Sequence, residues 1–207
     1  MRKLIALCIL ILPLLAQAGT QAYEPLDDNA KGALRKAIND SSSLRLAFAS
    51  EADAHAWITD MSQRMKKRIP DDFMRVLFLK TLHYEATRAG LDPQLVLGLT
   101  QVESGFKKYA ISSAGARGYM QVMPFWTKEI GTKDDNLFEM RTHLRFGCTI
   151  LRYYLDIEKG DLFRALGRYN GSLGKAEYPN LVVGAWRTHW AYQAPNRTAQ
   201  NGTNHPG

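Results

Sequence analysis

One residue in this sequence, Glu103, stands where a carboxylic acid would be suited to acid–base chemistry. Residues 90–106 have the pattern of a short helix. At about 3.6 residues per turn, Glu103 shares a stripe with Val96 and Leu99 and has Val102 beside it. A carboxylate in an apolar sector is costly to ionise, so we expect burial to raise the pKa of Glu103. A glutamic acid that keeps its proton near neutral pH can serve as a general acid.

The helix that would carry this acid has clear start and stop signals. Asp92 suits the N-cap, Pro93 suits the first turn, and Gly105 is a natural C-cap. Because helix ends are poorly fixed by sequence, the spacing alone leaves a second interpretation open, in which Glu103 points into solvent from a frayed end. The face opposite the apolar stripe would hold Gln94, Gly98 and Gln101.

Three short motifs favour the buried acid. Glu-Ser-Gly-Phe at residues 103–106 is followed by Gly-Tyr-Met-Gln-Val-Met-Pro at residues 118–124 and by Tyr-Asn-Gly at residues 169–171. In this order they resemble the catalytic domain of the soluble lytic transglycosylases, whose fold goose-type lysozymes share. The resemblance covers roughly residues 72–192 and implies an all-α, lysozyme-like domain with at most a small β-hairpin.

The resemblance also implies roles for individual residues. Glu103 would be the catalytic acid, and the hydroxyl of Tyr169 would contact it. The remaining residues would bind or position substrate: Ser104 and Gln121 beside the acid, Met120 lining the sugar groove, and Asn170 supporting the N-acetyl region of a sugar. The third motif departs from the family at Arg168, where a small residue is usual, and at Gly-Ser after Asn170, where Ala-Gly is common. These departures bear on subsite preference more than on catalysis.

The implied reaction needs one carboxylic acid and no cofactor or metal. Glycosidases usually employ two catalytic carboxyl groups. In this sequence no motif assigns the second one, for which the candidates are Asp134, Asp135 and Glu139. The family instead cleaves the bond between N-acetylmuramic acid and N-acetylglucosamine with help from the substrate, leaving a 1,6-anhydro end. Two alternatives remain open: a muramidase of the same fold that admits water, and an inactive peptidoglycan-binding module. The five histidines show no metal-ligand spacing.

The first 18 residues have the pattern of a cleavable export signal. Arg2 and Lys3 precede an apolar run at residues 4–15, and Ala16-Gln17-Ala18 forms a small-x-small cleavage site. The apolar run is too short to span a bilayer as a helix. Cys8 lies inside that run with no small residue before it, which argues against a lipoprotein. We therefore expect a periplasmic protein without stable membrane insertion.

Charge and cysteine content narrow the functional classes. The chain carries 27 Lys and Arg against 20 Asp and Glu. The sequence has no basic stripe interleaved with aromatic residues, which argues against nucleic-acid binding. The positive surplus is better explained by attraction to an acidic polymer such as peptidoglycan, or by a contribution to solubility alone. Removal of the signal would leave Cys148 as the last cysteine, so an internal disulfide is impossible and a helical core is favoured. We expect Cys148 to be a small buried side chain, and His83 and Glu85 to be satisfied structural groups.

Apolar periodicity predicts helices along the rest of the chain. The predicted segments are residues 29–39, 50–68, 73–88, 124–130, 136–158, a helix capped by Asp161, and 180–192. We divide the sequence into a signal (1–18), an N-terminal helical extension (19–71), the transglycosylase-like domain (72–192) and a polar, disordered tail (193–207). The sequence shows no convincing strand run, and residues 107–120 leave room for at most a small hairpin.

Overall fold

A computed structural model describes residues 21–40 and 42–193. Within these residues the fold is all-α, as the sequence predicts, and its only β-type pairing is two isolated bridges. The helices are α1 (Asp28–Ile38), α2 (Glu51–Met65), α3 (Asp72–Arg88), α4 (Pro93–Ser104), α5 (Phe125–Ile130), α6 (Met140–Ile157), α7 (Leu162–Asn170), α8 (Glu177–Ala185) and the π-helix Trp186–Trp190. The predicted signal and all but Gln193 of the predicted tail lie outside the described residues.

Side-chain caps begin two helices where the sequence predicts them. At α2, the Ser50 hydroxyl accepts a hydrogen bond from the Asp53 N–H at 3.1 Å. At α7, the Asp161 carboxylate accepts one from the Arg164 N–H at 3.0 Å. Each cap satisfies an N–H group that has no partner inside its own helix.

The long predicted helix begins later than expected. It starts at Met140 because Glu139 caps it, accepting hydrogen bonds from the N–H groups of Arg141 and Thr142 at 3.1 and 2.6 Å. The predicted apolar stripe is nevertheless buried along its whole length, at Leu137, Met140, Leu144, Cys148, Leu151 and Leu155. Cys148 is fully buried, which confirms its expected role as a small core side chain, and this burial raises the pKa of its thiol.

The N-terminal extension shares its core with the rest of the chain. Helix α1 packs against α5 and α6, and α2 packs against α3. Trp57, Met61 and Met65 of α2 are buried in the same apolar cluster as the α3 and α4 side chains. The predicted boundary near residue 71 stays a prediction, since these helices pack across it.

A buried ion cluster joins α1, α3 and α6. The Glu85 side chain is fully buried and accepts hydrogen bonds from Arg88, Arg141 and Arg145 at 2.9, 3.2 and 3.2 Å. Two of these arginines also bond the end of α1, where Arg88 donates to the Ala37 carbonyl and Arg145 to the Ile38 carbonyl, each at 2.9 Å. Glu85 is thus a satisfied structural group, as the sequence analysis expects.

The loop between α4 and α5 covers the region in which the sequence leaves room for a small hairpin. Two isolated antiparallel bridges, Ile111 with Arg117 and Arg117 with Val122, fold the loop back on itself without forming a strand. In the part of the chain that the structure describes, no helix combines the length and apolar character needed to cross a membrane.

Candidate active site

Helix α4 ends at Glu103 and is fixed by the caps that the sequence predicts. The Asp92 carboxylate accepts a hydrogen bond from the Gln94 N–H at 2.7 Å, and Pro93 occupies the first turn. Gly105 ends the helix in the left-handed conformation, with φ at +59°. The Glu103 side chain is buried, with 8% of its surface exposed, so the solvent-pointing interpretation is wrong.

The predicted division of α4 into an apolar and a polar face is only partly correct. Gly98, which was expected opposite the stripe, is buried, and a Cβ atom there would lie 2.8 Å from the backbone nitrogen of Trp186. Val102, expected beside Glu103 in the apolar sector, is half-exposed. Since α3, α8 and the π-helix pack around α4, Glu103 is buried by a central helix and not by one apolar stripe.

The Glu103 carboxyl has one hydrogen-bond partner of a kind that suits an acid. The Tyr178 hydroxyl of α8 donates a hydrogen bond to Glu103 Oε1, and both side chains are buried. Among the described residues no lysine or arginine forms an ion pair with Glu103. Burial therefore raises the pKa of Glu103 to about 8, although the hydrogen bond from Tyr178 acts in the opposite direction. The carboxyl is accordingly protonated near neutral pH.

Next to Glu103, side chains from three helices hold the turn at Tyr119 and Met120. The Ser104 hydroxyl of α4 donates to the Tyr119 carbonyl at 2.7 Å. The Tyr169 hydroxyl of α7 donates to the Met120 carbonyl at 2.8 Å, and the Met120 N–H donates to Nε2 of His143 in α6 at 2.8 Å. The second and third motifs are therefore brought together by this turn.

Gln121 closes the same turn. Its backbone adopts φ of +50°, an uncommon conformation for a residue other than glycine. Its side-chain Nε2 donates to the carbonyls of Gly118 and Ala110 at 2.9 and 3.3 Å. The structure thus gives Gln121 a part in shaping the loop, and its contact with substrate stays a prediction.

The hydroxyl beside the acid belongs to a different tyrosine from the one expected. Tyr169 was expected to contact Glu103, but its hydroxyl is engaged by the Met120 carbonyl. Tyr178 makes the contact from α8. Sequence reasoning missed Tyr178 because it lies 75 residues from Glu103 and belongs to none of the three motifs. Its position depends on how α8 packs against α4.

Met120 and Asn170 differ in their access to a ligand. The Met120 side chain has no exposed surface and packs against Gly147, which speaks against the prediction that it lines the sugar groove. Asn170 is also buried, but its side-chain Nδ2 has no hydrogen-bond partner among the described residues. An unpartnered amide donor of this kind suits a substrate carbonyl, and the role of Asn170 stays a prediction.

Two of the three alternative carboxylates are engaged in local structure. Glu139 caps α6, and Asp135 accepts a hydrogen bond from the Thr132 N–H at 2.7 Å. The unusual Arg168 of the third motif is held by carboxylates as well, donating to Glu158 and, at 3.1 Å, to Glu24. Its charge is thereby paired within the protein.

The fold and the site together define a class: an all-α domain that keeps one uncharged glutamic acid at the end of its central helix. Residues 80–180 match a known family, described as the Transglycosylase SLT domain. This part of the chain is therefore a transglycosylase SLT-type domain.

The chain is also similar to individual proteins over part of their length. A transglycosylase of Enterobacteria phage PRD1 is 33% identical over 99 residues, which cover 48% of this chain and 36% of the phage protein. Membrane-bound lytic murein transglycosylase C of Haemophilus influenzae is 49% identical over 47 residues, or 23% of this chain and 13% of that protein. An inactive mutant of lytic transglycosylase Slt from Pseudomonas aeruginosa has 23% identity and a TM-score of 0.41, covering 59% of this chain and 22% of that one. The chain thus matches only a minor part of each relative.

Proposed function

We propose that this protein is a peptidoglycan lytic transglycosylase that cleaves the β-1,4 bond between N-acetylmuramic acid and N-acetylglucosamine without water. The SLT-type domain and the names of its relatives support this proposal. The observation that carries it is the state of Glu103, a buried glutamic acid with a pKa near 8 and a tyrosine hydroxyl on one oxygen. Such a group can give a proton and then take one back.

In the first step, Glu103 donates its proton to the glycosidic oxygen as the bond to the anomeric carbon of the muramic acid residue breaks. The carbonyl oxygen of that residue's acetamido group stabilises the positive anomeric carbon. The leaving N-acetylglucosamine departs with a free hydroxyl. Tyr178 is placed to donate a hydrogen bond to the glutamate that this step produces.

In the second step, the Glu103 carboxylate takes the proton of the C6 hydroxyl of the same muramic acid residue. The C6 oxygen attacks the anomeric carbon and closes the 1,6-anhydro ring, and Glu103 is protonated again. Because the nucleophile belongs to the bound sugar, its effective concentration is high and no ordered water is required.

The other site residues have supporting roles in this proposal. The unpartnered Nδ2 of Asn170 would donate to the acetamido region of a bound sugar. Ser104 and Tyr169 would act through the loop, by fixing the Tyr119–Met120 turn next to the acid. Gln121 would position substrate from the same turn.

The proposed place of action is the periplasm, reached by export and cleavage after Ala18. Support comes from the charged start, apolar run and small-x-small site of residues 1–18, and from relatives named for murein, the cell-wall polymer. N-terminal sequencing of the mature protein should begin at Gly19. A retained Met1 or a lipid on Cys8 would refute the export proposal.

The products of digestion test the proposed reaction. Purified peptidoglycan treated with the protein should yield muropeptides with 1,6-anhydro ends, each one water lighter than the hydrolytic product. A muramidase would give the heavier reducing ends, which mass spectrometry resolves directly. A binding module would release nothing soluble. The Glu103→Gln variant, assayed beside the wild type, controls for contaminating activity.

A further inference from the structure

His143 is a fully buried imidazole that none of the three motifs contains and the proposed reaction does not use. It lies in α6, and its Nε2 accepts a hydrogen bond from the Met120 N–H at 2.8 Å. A nitrogen that accepts cannot carry a proton, so the neutral ring must be protonated on Nδ1. That nitrogen faces the Leu137 carbonyl, although no hydrogen bond of ordinary geometry joins the two atoms.

The ring is packed closely enough to fix the turn in position. A Cβ atom on Gly118 would lie 2.8 Å from Nδ1 of His143 and 3.0 Å from the Leu137 carbonyl oxygen. The imidazole therefore lies directly against the start of the Gly118–Gln121 turn. It also accepts a hydrogen bond from the N–H of Met120, in the middle of that turn. A shift of this turn towards the ring would therefore require a change at His143, and a shift away from it would break the hydrogen bond from the Met120 N–H.

The same short turn connects His143 to the acid-bearing helix. The Tyr119 carbonyl accepts a hydrogen bond from Ser104, the residue after Glu103, and the Met120 carbonyl accepts one from Tyr169. Of the three side chains that hold these two residues, His143 is the one that can change its charge in the acid range. Protonation would place an N–H group opposite the Met120 N–H, and the two donors would repel each other.

We propose that His143 is a positioning residue for the reaction, whose neutral ring holds the Gly118–Gln121 turn in its active conformation and whose protonation releases it. This inference rests on the proposed transglycosylase function. It assigns the acid limb of the pH–rate profile to His143. The alkaline limb belongs to Glu103, which must be protonated to act.

The charged and titratable groups around the ring are compatible with this role. Glu139, at the start of the same helix, favours the protonated ring through its charge, and the Leu137 carbonyl favours it too. Burial opposes both and dominates, lowering the pKa of His143 to about 4. The Tyr119 ring meets the imidazole edge-on at 6.1 Å, and burial raises the pKa of its hydroxyl to about 12, so it stays neutral. The ring is thus uncharged until the solution becomes distinctly acidic.

Two matched variants test the proposal. In His143→Gln, the amide oxygen can accept the Met120 N–H and does not titrate. In His143→Leu, a side chain of similar size fills the space but accepts nothing. The release of anhydro products is measured for both and for the wild type from about pH 3 to about pH 9, with kcat and KM determined separately. Substrate carboxylates titrate equally for all three proteins, so differences between them isolate the protein group.

We expect His143→Leu to lower kcat by about 10-fold to 100-fold with a smaller change in KM, because small displacements near the reacting centre are costly. His143→Gln should keep most of the wild-type kcat and lose the acid limb, while the alkaline limb stays in place. A folded His143→Leu protein with wild-type kcat and pH profile would overturn the proposal. If the leucine variant does not fold, persistence of the acid limb in His143→Gln overturns it.

A measurement without substrate separates this inference from the proposed function. The amide resonance of Met120 in the wild type should titrate with an apparent pKa near 4, and in His143→Gln it should not. If the wild type forms no anhydro products but this titration is observed, the transglycosylase proposal fails while the His143 contact stands. If the Met120 amide is indifferent to pH, the switch on the turn is refuted whatever the activity.

Discussion

Glu85 and Glu103 are both withdrawn from solvent on consecutive helices, α3 and α4, but the surroundings of Glu85 are positively charged and those of Glu103 are uncharged. Glu85 lies among Arg88, Arg141 and Arg145, whose guanidinium groups are within 3.2 Å. Glu103 has a tyrosine hydroxyl and apolar neighbours, with no ion pair in the described chain. Burial without a counter-charge favours the neutral form of Glu103, whereas Glu85 is held by its ion pairs with three arginines. The difference separates a group that joins helices from a group available for proton transfer.

Turnover should show the largest difference between the two positions. Glu103→Gln preserves the shape of a protonated carboxyl but cannot exchange a proton, so we expect peptidoglycan turnover to fall by about 10²-fold to 10⁴-fold or more. Glu85→Gln should retain nearly normal turnover per folded molecule. Both are measured as anhydro-product release at equal concentrations of folded protein. Near-normal turnover by Glu103→Gln would place the active centre elsewhere.

Stability should show the reverse order. Glu85→Gln leaves three guanidinium groups around a neutral amide, and loss of one partner of a buried ion cluster costs about 3–5 kcal/mol of unfolding free energy. Glu103→Gln should unfold no more easily than the wild type, since a neutral amide replaces a group whose ionisation burial disfavours. Urea unfolding at neutral pH measures both. Equal destabilisation by the two variants would contradict the comparison.

The pH dependence of stability should differ between the wild type and Glu103→Gln. The pKa of Glu103 is about 8 in the folded protein against an ordinary 4.5, so the folded state binds this proton more tightly. Its contribution to stability is complete below pH 4.5 and is lost as the pH rises towards 8, with a slope of up to about 1.4 kcal/mol per pH unit. Unfolding free energies measured across this range should fall more steeply for the wild type. Parallel curves would show that Glu103 titrates normally.

The smallest expected effect distinguishes the two tyrosines. The Tyr178 hydroxyl stabilises the ionised form of Glu103, so Tyr178→Phe should raise the pKa of Glu103 further, by roughly one unit, and lower turnover by about 10-fold. Tyr169→Phe is the matched control, because its hydroxyl bonds the Met120 carbonyl and should leave that pKa nearly unchanged. Carbon NMR of the Glu103 carboxyl measures both shifts. A larger shift from Tyr169→Phe would reverse the assignment made from the structure.

Features that depend on neighbouring residues in the chain could be predicted from the sequence. The caps at Asp92 and Gly105, the start of α2 at Ser50 and the burial of Glu103 are confirmed. They follow from local hydrogen bonding and helical periodicity, which act over a few residues.

Features that depend on which distant elements meet could not be predicted in the same way. The apolar stripe of α4 did not reveal that a π-helix would cover Gly98 as well. The motif that contains Tyr169 gave no sign that Tyr178 would reach the acid, because α8 approaches α4 only in the folded chain. Motif spacing likewise did not show that the Met120 side chain would turn into the core.

The contact between Gly98 and Trp186 has a consequence for how accurately the acid is placed. The atoms that would meet a side chain at Gly98 include the nitrogen and Cα of Trp186, so main chain rests against main chain. Main-chain atoms have no rotamers through which such a contact could relax. Glu103 lies five residues further along the same helix, about 7.5 Å along its axis. The close main-chain contact that Gly98 permits therefore fixes the position of α4 against the segment that follows α8. It thereby limits how far the Glu103 carboxyl can move relative to the Tyr178 hydroxyl of α8.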